Sequence, residues 1–150
     1  MNQMMPAPGA MPAGAAGRLF APAGRIHVRD GCAGRIAIID DDAAVLDSLR
    51  FLLEVSGHRV ATFGSATEFL QSDGVAAPCL IVDQHMPNMT GLELIARLAA
   101  TPGERTIMLI TGSASAAIRE RAAALGVAKV LEKPPAENEL LDFVNACNGA

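Results

Sequence analysis

The sequence has no tryptophan and no tyrosine, and residues that bind soft metals are few. The cysteines and histidines are scattered along the chain: Cys32, Cys79, Cys147, His27, His58 and His85. They form no CxxC pair and no Cys/His ligand spacing, which argues against a zinc site or a histidine metal site. The odd number of widely spaced cysteines indicates reduced thiols, and we therefore expect a cytoplasmic protein.

Long apolar runs are also missing. No stretch approaches the roughly 20 residues that a membrane helix needs, so we expect a soluble protein that makes no membrane contact. The formal net charge is -4, without the concentrated Lys and Arg that displace counterions from nucleic acid, so direct nucleic-acid binding is not expected. With 150 residues, 51% of them hydrophobic, the chain can form one domain with a tail.

Residues 1–34 differ in composition from the rest. They are rich in Ala, Gly, Pro and Met, and they show neither helical nor strand periodicity. Such a segment buries too little apolar surface to offset the entropy of ordering. A signal peptide fits poorly, because the first basic residue is Arg18 and Pro and Gly interrupt each apolar stretch. We predict a disordered tail over residues 1–34 and one folded domain over residues 35–150.

Strands and helices alternate from Arg35 onward. Strands are predicted at 36–39, 59–63, 79–82, 106–110 and 128–131, each followed by a helical pattern. The run at 36–39 is apolar without alternation, which is typical of a strand buried on both faces, and the run at 106–110 is also very apolar. The pairs Ser65/Glu68 and Thr90/Glu93 have the spacing of capping boxes at helix starts.

This alternation predicts an α/β fold with a doubly wound parallel sheet. Right-handed crossovers restrict the topology, and the flavodoxin-like (βα)5 strand order 2-1-3-4-5 is the common solution at this size. In such a sheet, sites form at the carboxyl ends of the strands, where the strand order reverses.

Polar residues follow four of the predicted strands. Asp40 and Asp41 follow the first strand, Asp83 the third, Thr111 the fourth and Lys133 the fifth. The predicted strand order brings these five residues to one pocket. Crowded carboxylates raise at least one pKa unless a cation intervenes, and oxygen ligands without Cys or His suit Mg²⁺. A lysine and a hydroxyl supply the positive charge and the donor that a phosphoryl group needs.

Each of these residues alone has an ordinary structural explanation. An Asp after a strand is often a helix N-cap, and we predict that role for Asp42. Lys133 alone would be a solvated loop residue, and Thr111 alone a turn residue. Their joint position at strand ends favours the pocket.

Four segments resemble the signature of response-regulator receivers, and most closely that of the nitrogen-fixation regulator type. They are Ile38 to Asp42 (IIDDD), Asp83 to Leu94 (DQHMPNMTGLEL), Ile110 to Gly112 (ITG) and Leu131 to Pro134 (LEKP). The resemblance runs from about Arg35 to Asn148, with the four segments in the family's order and spacing.

The resemblance implies a Mg²⁺-dependent phosphoacceptor. Asp83 would accept phosphate from a histidine kinase or a histidine phosphotransfer protein. Asp41, Asp83 and the backbone carbonyl of His85 would bind Mg²⁺, and Asp40 would act through a bound water. Phosphoryl transfer of this kind needs alignment and charge neutralisation more than covalent help.

The resemblance also implies a switch. Lys133 would contact the phosphoryl group, Thr111 would move to hydrogen-bond it, and the Lys133–Pro134 peptide bond would be cis. The sequence departs from the family at Val130, where the switch usually has an aromatic residue, and at Pro135, which is often aromatic.

Taken together, these features predict a stand-alone response regulator, since the chain ends at Ala150 soon after the fifth helix. We expect a phosphoacceptor switch and not an enzyme, acting on a downstream protein through direct contacts. A phosphate-independent interaction module is the main alternative, because Val130 interrupts the usual relay. A haloacid-dehalogenase-like phosphatase would need a second Asp where His85 stands. A flavin-binding carrier would need a phosphate loop where Asp40 and its neighbours stand.

Overall fold

The structure of the chain is a computed structural model that describes residues 35–101 and 103–149. The predicted tail, residues 1–34, lies outside the described residues, so the tail and the domain boundary stay predictions. Within the described ranges, strands and helices alternate. They are β1 (Arg35–Ile39), α1 (Ala43–Val55), β2 (Arg59–Phe63), α2 (Ala66–Leu70), β3 (Cys79–Asp83), α3 (Gly91–Leu98), β4 (Thr106–Thr111), α4 (Ala116–Ala124), β5 (Lys129–Glu132) and α5 (Glu137–Gly149).

The five strands form one parallel sheet in the order β2-β1-β3-β4-β5, which confirms the predicted order. β1 and β3 are neighbours at the centre, with Ile38 opposite Ile81. Their carboxyl ends therefore meet at one edge of the sheet, and the residues after them are close in space.

Helices cover both faces of the sheet. Successive side chains of a strand point to opposite faces, so Ile36 and Ile38 pack against α1 and α5. Ala37 and Ile39 pack against α2, α3 and α4 on the other face. β1 is buried along its whole length, which explains its apolar run without alternation. None of the described helices combines the length and hydropathy needed to cross a bilayer.

The two predicted capping boxes differ in detail. At the start of α3, Thr90 and Glu93 make both reciprocal hydrogen bonds, as predicted. At the start of α2, the Ser65 hydroxyl accepts from the Glu68 N–H, but the Glu68 carboxylate accepts from the N–H of Gly64 and not of Ser65. The predicted helix start is right, and the predicted reciprocal bond is wrong by one residue because the preceding turn brings the Gly64 N–H within reach.

Candidate functional site

Three aspartates lie at the carboxyl ends of β1 and β3. Asp40 follows β1 and Asp83 ends β3, and each is only 3% exposed. Asp41 is exposed at the rim. Carboxylate oxygens from the three residues lie within 4.8 Å of one another. The adjacency of β1 and β3 therefore produces the carboxylate cluster that the strand order predicted.

Asp42, the next residue, has a different role. Its side chain accepts hydrogen bonds from the backbone N–H groups of Ala44 and Val45 at the start of α1. The predicted N-cap is confirmed. The N–H of Asp42 in turn donates to Asp40 Oδ1 at 2.9 Å, which orients the Asp40 carboxylate.

Lys133 reaches the aspartate cluster from the end of β5. Its Nζ lies 3.2 Å from Asp40 Oδ2 and 3.1 Å from Asp83 Oδ1. Its backbone N–H donates to the Thr111 carbonyl at 2.9 Å, which ties it to the end of β4. The Lys133–Pro134 peptide bond is cis, as the resemblance implied.

The cluster shifts the pKa of both charged partners. Burial raises the pKa of the Asp83 carboxyl, and the charge of Asp40 raises it further, although Lys133 and the backbone of His85 oppose this. Burial works to lower the pKa of Lys133, but its contacts with Asp83 and Asp40 outweigh burial and raise it. The direction agrees with the predicted rise in the pKa of a carboxyl, but the main cause is burial and not the crowding of charges from which the rise was predicted.

The donor set fits a hard divalent cation. Asp83 Oδ1 is fully buried and accepts no well-formed hydrogen bond, so its contact with Lys133 is an ion pair. A buried carboxylate oxygen with spare lone pairs is uncommon in proteins, and here two further carboxylates lie beside it. Oxygen atoms arranged in this way are the ligands that Mg²⁺ takes, together with several waters.

Thr111 is fully buried, and its hydroxyl has partners outside the aspartate cluster. Thr111 Oγ1 lies 3.2 Å from His85 Nε2 and hydrogen-bonds both the N–H and the carbonyl of Ser113. From the sequence we expected only the backbone carbonyl of His85 to take part. No sequence signal reveals the ring contact, because the position two residues after Asp83 does not define where a side chain points.

The loop after Asp83 is anchored by two residues whose role the sequence did not reveal. The Gln84 side chain accepts from the Leu92 N–H at 2.9 Å. A Cβ at Gly91 would lie 2.6 Å from the Asp83 carbonyl oxygen, so α3 begins where only glycine fits. The turn sequence around Gly91 was recognised as a capping motif, but this close approach needs the tertiary structure.

The two positions that depart from the family lie on opposite faces of the sheet. Val130 is half-buried and packs against the apolar cluster on the α3 and α4 face. Pro135 lines a largely apolar cavity of about 590 Å³ between α1 and α5, which Lys133 borders.

Comparison with known proteins agrees with this geometry. Residues 36–145 match the family described as the response regulator receiver domain. The transcriptional regulatory protein FixJ of Bradyrhizobium diazoefficiens is 36% identical over 114 residues, which cover 75% of this chain and 56% of FixJ. The response regulator protein TmoT of Ectopseudomonas mendocina is 39% identical over 122 residues, which cover 81% of this chain and 55% of TmoT. The chain thus spans about half the length of these curated relatives.

A solved structure has the same fold. The CheY-like response regulator receiver domain protein of Methanospirillum hungatei superposes with a TM-score of 0.70 at 27% identity, covering 76% of this chain and 92% of that one. The family match includes Asp40, Asp83, Thr111 and Lys133 within its range. This chain belongs to the response regulator receiver family, the receiver domains of two-component response regulators.

Proposed function

We propose that Asp83 accepts a phosphoryl group from the phosphohistidine of a histidine kinase or a histidine phosphotransfer protein. The observation that carries this proposal is the position of Lys133 Nζ, 3.1 Å from Asp83 Oδ1 and 3.2 Å from Asp40 Oδ2. A fixed cation beside a buried carboxylate can stabilise negative charge as it develops on a phosphoryl group.

The proposed transfer is Mg²⁺-dependent. Asp41, Asp83 and the backbone carbonyl of His85 would hold the ion, and Asp40 would act through a bound water. The bound ion would offset the charge of the carboxylates and of the incoming phosphoryl oxygens.

Asp83, Lys133 and Thr111 have different roles in the proposed transfer. A carboxylate oxygen of Asp83 forms the new P–O bond as the P–N bond breaks, and the histidine nitrogen of the donor keeps the electron pair. Lys133 contacts the phosphoryl oxygens, and Thr111 donates its hydroxyl to one of them. Because the transition state is loose, alignment and charge neutralisation account for the rate.

The proposed outcome is a phosphorylated switch and not catalytic turnover. The described residues include each side chain that the proposed transfer uses, so we propose that the receiver works as an autonomous phosphoacceptor. Its output would be contact with a downstream protein, without direct nucleic-acid or membrane binding. No feature of the described residues favours the alternative of a haloacid-dehalogenase-like phosphatase, which would need a second Asp at the position of His85.

The test is phosphorylation of the full chain with a small phosphoramidate and Mg²⁺, read by intact mass and peptide mapping. We expect one phosphoryl group on the wild type, none on Asp83→Asn, and none on the wild type in EDTA. Asp47→Asn, on an exposed position of α1, is the matched control and should be labelled normally. Labelling of Asp83→Asn at the wild-type level would contradict the proposal. No labelling of the wild type, with no response to beryllofluoride, would favour the phosphate-independent module.

A further inference from the structure

The hydrogen-bonding capacity of the Thr111 hydroxyl is completely used. A threonine hydroxyl offers one O–H donor and two acceptor lone pairs. Oγ1 accepts from the Ser113 N–H at 3.2 Å and donates to the Ser113 carbonyl at 3.2 Å. The remaining lone pair faces His85 Nε2, also at 3.2 Å. All three contacts are satisfied when Nε2 carries the imidazole proton and donates it.

The backbone of the loop places the His85 ring at this position. The Gln84 N–H donates to the Ile110 carbonyl at 2.8 Å, and the Gln84 side chain accepts from the Leu92 N–H at 2.9 Å. The residue before His85 is therefore tied to β4 and to α3. The ring crosses from this anchored loop to the end of β4, where Thr111 is fully buried.

We propose that the His85 imidazole is a positioning residue that holds the Thr111 hydroxyl in its unphosphorylated arrangement and so opposes the phosphorylated state. This inference rests on the proposed function, since it assumes that Thr111 moves toward a phosphoryl group on Asp83. To make that move, the hydroxyl must give up its bond to the Ser113 carbonyl and its bond from His85. His85 is exposed, so water can replace the ring's lost partner. The Thr111 hydroxyl gains a phosphoryl oxygen as its acceptor, but because Thr111 is buried no water replaces the His85 donor.

The direction of the effect follows from the two states. A contact made in only one state shifts the equilibrium by its own contribution. Removal of the ring therefore makes the phosphorylated arrangement easier to reach. One net hydrogen bond corresponds to an equilibrium change of about two- to tenfold. We expect His85→Ala to bind beryllofluoride with Mg²⁺ about two- to tenfold more tightly than the wild type.

The experiment is a beryllofluoride titration of the full chain with Mg²⁺, followed by NMR. His58→Ala is the matched control, because that ring bonds Asn145 Oδ1 at 3.1 Å at the other end of the fold and should leave the affinity unchanged. His85→Gln keeps a donor at a similar reach and should restore most of the wild-type affinity. In a Thr111→Ala background, His85→Ala should have no effect, because the partner through which it acts is gone.

Weaker or unchanged binding by His85→Ala would overturn the inference, as would an equal gain in the Thr111→Ala background. A separate measurement tests the contact without beryllofluoride. In the unphosphorylated protein, the ¹⁵N signal of His85 Nε2 should shift in Thr111→Ala but not in Asp47→Asn. If that shift is seen but the wild type does not respond to beryllofluoride, the proposed function has failed and the inference with it. If the wild type responds and His85→Ala behaves like it, the inference alone has failed.

Discussion

At the residue scale, the negative charge of Asp83 destabilises the metal-free fold even though Lys133 lies beside it. Burial and the charge of Asp40 raise its pKa above the ordinary 3.8. The folded state therefore binds this proton more tightly than the unfolded chain does. At a pH below the pKa of Asp83 in the unfolded chain, the carboxyl is protonated in both states and does not lower the free energy of unfolding. As the pH rises from the pKa in the unfolded chain to the raised pKa in the folded protein, the destabilisation grows, and above the folded-state pKa it is complete.

Asp83→Asn should therefore stabilise the metal-free protein. Above the folded pKa of Asp83 we expect a higher free energy of unfolding for the variant, because the substitution removes a charge that burial and Asp40 disfavour by more than Lys133 and the His85 backbone favour it. The gain should shrink toward zero as the pH falls below the unfolded value. Mg²⁺ should reduce the difference in the free energy of unfolding between variant and wild type, because it binds and stabilises the folded wild type. Urea unfolding followed by circular dichroism measures this, since the chain has no tryptophan or tyrosine. A variant less stable than wild type in EDTA at neutral pH would contradict the prediction.

Substitutions at the adjacent residues Asp41 and Asp42 should have different effects, one on metal binding and the other on helix capping. Asp41→Ala should lose the Mg²⁺-induced NMR shifts, because its carboxylate belongs to the three-aspartate cluster. Asp42→Ala should keep those shifts but lose about 1 kcal/mol of stability, because its side chain caps α1. The measurements are a Mg²⁺ titration and urea unfolding of both variants. Unchanged Mg²⁺ affinity in Asp41→Ala, or tight zinc binding by the wild type, would show that the ligand set is wrong.

At the scale of the elements, the junction of β3 and α3 depends on close backbone contact. Gly91→Ala would place a Cβ 2.6 Å from the Asp83 carbonyl oxygen and 2.9 Å from Leu109 Cδ1. We expect a loss of about 1–3 kcal/mol from this overpacking, together with slower phosphorylation because Asp83 is displaced. Gly112→Ala is the matched control, since nothing lies within 4 Å of its Cβ. Equal stability of the two variants in thermal unfolding would contradict this account.

In β5, the side chain of Val130 should respond little to phosphorylation. Val130 is β-branched and half-buried, so it has few rotamers with which to signal a movement of Thr111. We expect phosphorylation to shift NMR signals of residues 111–113 and of α4, with little change at the Val130 methyl groups. Spectra with and without beryllofluoride test this. A large change centred on Val130 beside a quiet loop would contradict it, and no change beyond the pocket would favour the phosphate-independent module.

At the scale of the whole molecule, the folded part and the tail should be separable. Removal of residues 1–34 should change the free energy of unfolding by no more than about 0.5 kcal/mol and leave labelling of Asp83 intact, because the composition of this segment offers little apolar surface to bury. Thermal unfolding and limited proteolysis of the full and shortened chains measure this. A large loss of thermal stability would show that the tail packs on the receiver.

Much of the fold follows from local pattern. Continuous apolar runs such as the one in β1 require burial on both faces, and their alternation with helical segments leaves few topologies for a parallel sheet. The strand ends then bring Asp40, Asp83, Thr111 and Lys133 to one edge, so even the approximate composition of the site could be predicted. These features depend on periodicity, which acts over a few residues, and on crossover handedness, which acts over one strand–helix–strand unit.

The finer contacts of the site depend on the packed chain. The bridging position of Lys133, the bond between His85 and Thr111, and the approach of Gly91 to the Asp83 carbonyl were not predictable. Each depends on the direction of a side chain or the path of a loop, and these follow from contacts between segments that are distant in sequence. Periodicity specifies the strand on which a residue lies, whereas packing among the loops and helices specifies which atoms meet.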